Sequence, residues 1–248
     1  MAGTAPRRIL VTDATGFVGR HLLPALGAAF PDATIAAHHF DVTDKGAVND
    51  SVRDASPDTC IHLAGITNVA AARNDPDLAW RVNLLGTPNL GRAVLTLAPS
   101  CRFVFASSAE VYGDSFRSGY KLDETAPLAP MNGYAATKAA ADLALGAMSH
   151  EGLRVVRPRL FNHTRPGQSD AFVAPAFARQ IARIESGCNR RCCRWAALTS
   201  RVTFSTCATS ARPTLPAFAG VAMNWLRVRS SIWVRGSPGG SATFSMSC

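Results

Sequence analysis

Short apolar runs alternate with longer segments of helical spacing along the first three quarters of the chain. The apolar runs typical of buried strands cover residues 8–12, 34–37, 59–64, 101–106 and 153–156. Segments with helical spacing of apolar positions cover residues 19–30, 45–55, 77–98 and 134–148. Strands that alternate with helices of this length predict parallel βαβ units. The expected fold class is therefore α/β, with a Rossmann-type doubly wound parallel sheet.

The composition indicates a large hydrophobic core and excludes several classes of protein. The 248 residues are 47% hydrophobic and 17% charged, which is typical of a globular domain and excludes disordered and collagen-like chains. The first residues lack an apolar run of signal-peptide length, and no later run reaches the roughly 18 apolar residues of a membrane span. We therefore expect a cytoplasmic protein with no membrane partner.

The net charge of +9 arises in the C-terminal quarter. Residues 1–185 hold all 17 acidic residues against 18 Lys and Arg, whereas residues 186–248 hold eight Arg and no acidic residue. This segment lacks the interleaved Lys and the compact motif of a nucleic-acid arm, and its adjacent Cys192 and Cys193 lack zinc spacing. We expect neither a nucleic-acid partner nor a metal site.

A turn containing two glycines separates the first predicted strand from the first helix. It reads Thr12-Asp13-Ala14-Thr15-Gly16-Phe17-Val18-Gly19. At such a turn, backbone N–H groups and the positive end of the helix dipole can hold a dinucleotide pyrophosphate. The turn therefore predicts nucleotide binding.

A serine, a tyrosine and a lysine form a second candidate site. Ser108 ends a predicted strand, and Tyr134 and Lys138 lie four residues apart on one face of a predicted helix. An ammonium beside a phenol favours the phenolate, so the tyrosine can exchange a proton near neutral pH. The serine hydroxyl can bind the same substrate oxygen. This pattern predicts acid–base chemistry on an oxygen.

With these motifs, and with stretches at 40–44, 61–67 and 161–181, residues 8–186 resemble the extended short-chain dehydrogenase/reductase family of NAD-dependent sugar epimerases and dehydratases. Within the family they are most similar to the reductases of GDP-4-keto-6-deoxy-mannose. The resemblance implies cofactor contacts along the strand ends and on the catalytic helix: Gly16, Phe17, Val18 and Gly19 at the pyrophosphate, Asp41 and Val42 at the adenine, Leu63, Ala64 and Gly65 on the inner face, with Asn83, Tyr134 and Lys138.

The resemblance also implies catalytic and substrate-binding roles. Tyr134 would be the acid/base, and Lys138 would hold the nicotinamide ribose and lower the pKa of the tyrosine. Ser108 would bind the sugar oxygen at the reacting carbon, and Asn162 would reach the nucleotide-sugar. Glu110 is a further candidate for substrate binding. The implied reaction is hydride transfer between NAD or NADP and C4 of a GDP-4-keto-6-deoxyhexose. Family members are usually homodimers.

Three alternatives stay open at this stage. Glu110 could serve the acid–base work of a GDP-mannose 4,6-dehydratase, although Ala109 beside it cannot. A sugar-nucleotide 4-epimerase belongs to the same family. An inactive nucleotide-binding remnant is the alternative from another class.

The choice of cofactor is open as well. Residues 37–40 carry no clear acidic or arginine selector for the ribose 2′ position, so the sequence does not decide between NAD and NADP.

The remnant is favoured by departures from the family pattern. Asp13 stands where the family has the first glycine of its turn, and Leu160 and Arg165 replace an expected proline and glycine. An aspartate adds bulk and negative charge beside two phosphates. We therefore predict weakened cofactor binding.

The tail departs further. Residues 202–210 read Val-Thr-Phe-Ser-Thr-Cys-Ala-Thr-Ser. They can be encoded by GTG ACT TTC TCG ACG TGC GCG ACG TCC, in which the third bases are free choices. Read from the last base of the valine codon, this encodes Asp-Phe-Leu-Asp-Val-Arg-Asp-Val, which matches a motif of the family's substrate lobe. We therefore predict a frame shift near Gly187, with a Rossmann domain over 1–186, a basic out-of-frame tail over 187–248, and the C-terminal substrate lobe missing or disordered.

Overall fold

The computed structural model describes residues 5–187 in full and, beyond them, the backbone of residues 232–237 and 240–246. The chain divides into two compact units. The described part of the first unit is residues 5–160. The described part of the second unit is residues 161–187 together with the two later strands.

A five-stranded parallel sheet forms the centre of the first unit. Its strands are β1 (Arg8–Thr12), β2 (Thr34–Ala36), β3 (Thr59–His62), β4 (Arg102–Phe105) and β6 (Arg154–Val156). Their order is β2-β1-β3-β4-β6, and every neighbouring pair is parallel. A second, two-stranded parallel pair joins β5 (Ser107–Ser108) to β7 (Arg159–Leu160). The predicted parallel α/β sheet is confirmed.

Helices connect the strands and cover the sheet. They are α1 (Phe17–Ala29), α2 (Lys45–Ala55), α3 (Val69–Asn74), α4 (Pro76–Ala79), α5 (Thr87–Leu97) and α6 (Gly133–His150). A core of buried side chains from β1, β3 and β4 packs with α2, α5 and α6 on one face; its largest members include Leu10, Phe103, Leu90 and Leu145. The connection through α1 runs from β1 to β2, in the opposite direction across the sheet from the other connections. Because such connections are right-handed, α1 lies on the other face.

The predicted single helix over 77–98 is interrupted. A π-helical segment, Trp80–Gly86, lies between α4 and α5. Pro88 follows in the first turn of α5 and has no N–H to donate to the carbonyl of Leu84, four residues earlier, so regular α-helical bonding cannot continue there. The sequence pattern also missed α3 and the 3-10 helical segment Ala109–Ser118 that follows β5.

The second unit contains α7 (Val173–Glu185) and an antiparallel pair, β8 (Ile232–Ser237) with β9 (Gly240–Met246). The predictions of an out-of-frame tail and of a missing or disordered substrate lobe fall on 187–248, which lies outside the described residues apart from Gly187 and the backbone of this pair. Among the described helices, none is long and apolar enough to cross a membrane.

Candidate active site

The strand order of the first unit reverses at β1, and a ligand crevice is expected at this place. From β1 the chain leads to β2 on one side and then returns past β1 to β3 on the other side. In open parallel sheets, ligands bind outside the carboxyl ends of the strands at such a point. Here those ends are Thr12 of β1 and His62 of β3.

A hydrogen-bonded chain holds the two strand ends together. Thr12 Oγ1 accepts from the backbone N–H of Leu63 and of Ala64, both at 3.0 Å, and lies 2.9 Å from His62 Nδ1. With two bonds accepted, the threonine hydroxyl donates its proton to Nδ1, so the imidazole carries its own proton on Nε2 and donates it to Thr87 Oγ1 at 3.0 Å. Burial, aided by the charge of Lys138, lowers the pKa of His62 to about 3. This histidine is therefore a neutral structural link.

The turn after β1 brings the backbone close to the start of α1. A Cβ at Gly16 would collide with the carboxylate of Asp13, and a Cβ at Gly19 would collide with backbone oxygens of Asp13 and Ala14. Gly19 therefore requires glycine, whereas a side chain at Gly16 would conflict with the side chain of Asp13. Gly16 is the N-cap of α1, and Phe17 and Val18 form its first turn, so their N–H groups face the place predicted for the pyrophosphate.

Asp13 is the misfit in this turn. Its φ of 53° lies in the left-handed region, which favours glycine. Burial raises the pKa of its carboxyl group, and the charge of His39 opposes that rise. The carboxylate lies beside Gly16, at the mouth of the predicted anion site.

Asn83, a residue of the π-helical segment, fixes the loop that follows β3. Its side-chain oxygen accepts from the N–H of Ile66 at 2.8 Å, and its amide donates to the carbonyl of Ile66 at 3.1 Å and to Thr137 Oγ1 at 2.9 Å. Only 1% of Asn83 is exposed. These bonds hold the loop that contains Leu63, Ala64 and Gly65 in place. A direct contact of Asn83 with the cofactor stays a prediction.

The segment predicted at the adenine forms an Asx turn. Asp41 Oδ1 accepts from the backbone N–H and the hydroxyl of Thr43, both at 2.8 Å, and these bonds hold the pKa of Asp41 below its usual range. Val42 is buried, and its carbonyl accepts from Asn89 Nδ2 at 3.3 Å. This anchors the segment to α5.

The structure places Ser108 on β5 and Tyr134 and Lys138 on α6, and these two elements contact one another. Ser108 ends β5, is buried, and lies close enough to Tyr134, in the first turn of α6, to lower the pKa of its phenol. The N-cap Asn132, whose side chain accepts from the N–H of Ala135 at 2.8 Å, fixes the start of that helix. One turn further on, Lys138 Nζ donates to the carbonyl of Ala106 at 2.9 Å.

Lys138 is deeply placed for an ammonium. Only 4% of the residue is exposed, and Nζ lies 4.8 Å from the centre of the Phe105 ring. Burial lowers its pKa to about 8. A Cβ built on Gly65 would lie 3.5 Å from Nζ, so the ammonium lies directly behind this glycine.

The predicted lowering of the pKa of Tyr134 by Lys138 is not what the structure shows. Burial raises the pKa of this phenol, the hydrogen bond to Ser108 lowers it, and the charge of Glu110 raises it. The charge of Lys138 is not among the causes, since its ammonium is held by Ala106. In this site Ser108 is the group that favours the phenolate.

The remaining predicted substrate residues lie in different units. Glu110 is exposed in the 3-10 segment, and its backbone N–H donates to Ser108 Oγ at 3.2 Å. Asn162 is an exposed residue of the second unit. Leu160 pairs with Ser108 across β5 and β7. Among the described residues, no group of three or more His, Cys, Asp or Glu could hold a metal ion.

The sequence analysis missed a buried cluster behind Ser108. Asp142, Arg157 and Arg159 form ion pairs there, and Asp142 has no exposed surface. An aspartate inside an alanine-rich helix, four residues after Lys138 and on the same face, is the signal that could have revealed it.

Sequence comparison decides the family. The sequence pattern of the family described as GDP-mannose 4,6 dehydratase matches residues 27–198, well over half of the chain. The chain belongs to this family. The match confirms the resemblance predicted from the motifs.

Known relatives include reductases and epimerases. The chain is 41% identical over 184 residues to GDP-6-deoxy-D-mannose reductase of Pseudomonas aeruginosa, covering 73% of this chain and 60% of the relative. Among solved structures it is similar to RMD from Pseudomonas aeruginosa complexed with NADPH, with a TM-score of 0.66, 39% identity and coverage of 74% and 64%. It is also similar to the UDP-glucose 4-epimerase of Thermus thermophilus in complex with NAD, with a TM-score of 0.65, 30% identity and coverage of 73% and 63%.

These matches cover the chain and its relatives unequally. The chain spans about three fifths of the length of the reductase and of the two solved structures. The family match itself ends at residue 198.

Proposed function

We propose that this chain descends from, and carries the catalytic centre of, an NAD(P)H-dependent reductase that acts at C4 of a GDP-4-keto-6-deoxyhexose. The observation that carries the proposal is the placement of three groups at one edge of the sheet. Ser108 lies beside Tyr134 and lowers the pKa of its phenol, and Lys138 lies one helical turn away with its ammonium behind Gly65. This set can bind a carbonyl oxygen and deliver a proton to it.

Most of the crevice fits a nicotinamide dinucleotide. Gly16 and Gly19 keep the turn free of side chains at the start of α1, where a pyrophosphate would be held by N–H groups. Asp41 and Val42 would border the adenine, and the loop ending in Gly65 would line the inner face. Asp13 does not fit, because its carboxylate is directed toward the place of the phosphates.

A bound NADH or NADPH would supply the hydride. Tyr134 would donate its phenolic proton to the sugar oxygen that becomes a hydroxyl, and Ser108 would hold that oxygen by a hydrogen bond. Lys138, with a pKa of about 8, would be mostly protonated at neutral pH and would hold the ribose through its ammonium. The protein thus contributes orientation and a proton.

The substrate class rests on the relatives. The reductase of Pseudomonas aeruginosa supports a GDP-linked 6-deoxyhexose, and Asn162 of the second unit is proposed to reach the nucleotide-sugar. Glu110, whose charge acts on Tyr134, is proposed to lie beside the sugar. Homodimerisation and a cytoplasmic location belong to the same proposal. Both rest on the family and the sequence.

A second candidate, an impaired remnant that binds nucleotide without turnover, is favoured by Asp13. Its left-handed backbone and its raised pKa mark a position made for glycine. The predicted frame shift at 187 favours the same outcome, since 187–248 would then not form a substrate lobe. Resequencing the codons for residues 184–193 tests this. A missing or extra base restores the family's reading frame, and an unchanged sequence refutes the frame shift as a sequencing error.

The proposed activity is tested by incubating the full chain with GDP-4-keto-6-deoxy-mannose and either NADH or NADPH. Oxidation of the nicotinamide with formation of a GDP-6-deoxyhexose supports the reductase. The same sugar linked to UDP is the control for the nucleotide, and it should react more slowly. Nucleotide binding without turnover would support the remnant instead, and the absence of both would overturn the two candidates together.

A further inference from the structure

Behind the proposed catalytic groups lies a carboxylate that no step of the proposed reaction uses. Asp142 is on α6, four residues after Lys138 and eight after Tyr134, so the three share one stripe of the helix. None of its surface is exposed. Its carboxylate accepts from Ser107 Oγ at 2.7 Å, from Arg157 Nη1 at 2.7 Å and from Arg159 Nη2 at 3.1 Å.

These bonds join β5, β7 and α6. Ser107 is on β5, directly before Ser108, and pairs in register with Arg159 of β7. Arg159 Nε reaches the second carboxylate oxygen at 3.3 Å, and Arg157 Nη1 also donates to the carbonyl of Asp142 at 2.6 Å. A buried carboxylate is costly unless it is paired in this way, so its partners are held in narrow positions.

We propose that Asp142 is a positioning residue that fixes β5 against α6 and thereby sets the contact between Ser108 and Tyr134. The inference rests on the proposed function for its catalytic meaning. Asp142 acts through Ser107, whose hydroxyl donates to its carboxylate. Ser107 directly precedes Ser108 on β5, so the position of Ser107 sets the position of Ser108. The carboxylate itself stays behind the site and does not touch the sugar.

Arg159 also holds the segment that follows Ser108. Its Nη1 donates to Tyr112 Oη at 2.9 Å and to the carbonyl of Glu124 at 3.2 Å, and its guanidinium lies 5.0 Å from the centre of the Tyr112 ring. Tyr112 Oη in turn donates to the carbonyl of Asp123 at 2.9 Å. The backbone of Arg159 therefore belongs to β7, the strand that pairs with β5, while its guanidinium holds the 3-10 segment that carries Glu110.

The ionisation of Tyr134 reports this geometry without requiring turnover. The groups that act on the phenol are Ser108 of β5, which favours the phenolate, and Glu110 of the 3-10 segment, which opposes it. Lys138 of α6 is the nearest cation on the same helix stripe. A displacement of β5 moves the hydroxyl of Ser108 away from the phenol, so the pKa of Tyr134 should rise.

The experiment is a pH titration of the full chain labelled at the tyrosine ring carbons and observed by NMR. The chain has three tyrosines, and the resonance of Tyr134 is assigned by its disappearance in Tyr134→Phe. Ser107→Ala removes only the link from Asp142 to β5. Asp142→Asn removes the charge that holds both arginines. Ser108→Ala gives the full effect of losing the hydrogen bond, and Glu151→Gln, which breaks an exposed ion pair with Arg92, is the matched control.

We expect the titration midpoint of Tyr134 to rise in Ser107→Ala and in Asp142→Asn by at least half of the rise seen in Ser108→Ala, and to stay unchanged in Glu151→Gln. Unchanged midpoints in the first two variants, with only a lower melting temperature, would show that the cluster is merely structural and would overturn the proposal. If Asp142→Asn does not fold, Ser107→Ala decides alone, because it leaves the ion pairs intact.

Kinetics add a second readout wherever the wild type turns over. Misplaced reacting groups lower the rate of the chemical step more than binding, so kcat should fall by about tenfold to a hundredfold in Ser107→Ala. The KM for the nicotinamide cofactor should stay within about twofold, since the cluster lies away from the pyrophosphate turn. A wild type without turnover would overturn the proposed function, while the NMR titration would still decide the role of Asp142.

Discussion

The two ends of the crevice differ in how well their residues suit their places. At the proposed proton-transfer end, Ser108 lies beside Tyr134, Lys138 donates to the carbonyl of Ala106, and Asp142 binds the hydroxyl of Ser107 behind them. At the proposed pyrophosphate end, Asp13 occupies a left-handed backbone position and places its carboxylate beside Gly16. One end is internally consistent, and the other contains a residue that opposes its proposed ligand.

Under the proposed function, this difference makes cofactor affinity and proton transfer separable. A defect at the turn would weaken the binding of a dinucleotide but leave the proposed acid–base groups in place, because Asp13 and Tyr134 lie on different elements. Substitutions at the turn should therefore change Kd, and substitutions at the other end should change kcat. The predictions below test this separation.

The largest effect is expected for Tyr134→Phe. It removes the phenolic proton and keeps the ring, and losing a general acid of this kind costs about a hundredfold to ten-thousandfold in kcat. The Kd for NADPH, measured by cofactor fluorescence, should stay within about twofold.

The matched control is Tyr120→Phe, which removes a hydroxyl from a side chain that is 82% exposed. It should leave both kcat and Kd as in the wild type. Equal kcat values for Tyr134→Phe and the wild type would refute the role of Tyr134 and, with it, the proposed catalytic end.

The second prediction concerns the pH dependence of stability that Lys138 contributes. Its folded pKa is about 8 and its ordinary value is 10.5, so between these pH values the unfolded state binds more protons than the folded state. The free energy of unfolding therefore rises with pH in this window, by up to about 3 kcal/mol from this residue. Urea unfolding of the wild type and of Lys138→Met should give curves that diverge from pH 8 upward.

Lys121→Met is the control for this comparison, since Lys121 is exposed. Its curve should run parallel to that of the wild type over the same range. If Lys138→Met also runs parallel, the ammonium is not buried in the way the structure shows.

The third prediction concerns the link between the two strand ends. Thr87→Val keeps the shape of a fully buried side chain but removes the acceptor for His62 Nε2–H. A buried donor left without a partner costs about 1–3 kcal/mol. We expect the free energy of unfolding in urea to fall by about 2 kcal/mol, whereas Thr125→Val, at an exposed position, should change it by less than about 0.5 kcal/mol. Equal losses would mean that the bond to His62 contributes nothing.

The elements with a strong period were predictable, and the contacts between distant elements were not. The five sheet strands and helices α2 and α6 follow directly from apolar spacing, because their buried faces repeat along the sequence. The interruption before α5 depends on one missing N–H at Pro88, which a count of apolar positions does not register.

The same contrast holds for the site. Tyr134 and Lys138 could be predicted because four residues make one helical turn, and Ser108 because it ends a strand. The pairing of Asp142 with Arg157 and Arg159 could not, since it needs the parallel contact of β5 with β7. Nor could the raised pKa of Tyr134, because burial outweighs its hydrogen bond and burial is a property of the folded chain.

The smallest expected effect is also the most direct test of the difference between the two ends. Asp13→Gly removes a negative charge beside the phosphates and relieves a left-handed backbone, so the Kd for NADPH should fall by about tenfold. The kcat should not change. Ser56→Gly is the matched control, because Ser56 has a φ of 38° at the C-terminus of α2 and lies outside the turn. It should relieve similar strain without changing Kd. Equal Kd values for Asp13→Gly and the wild type would show that the aspartate does not oppose the cofactor, and that the two ends of the crevice are equally fit for their ligands.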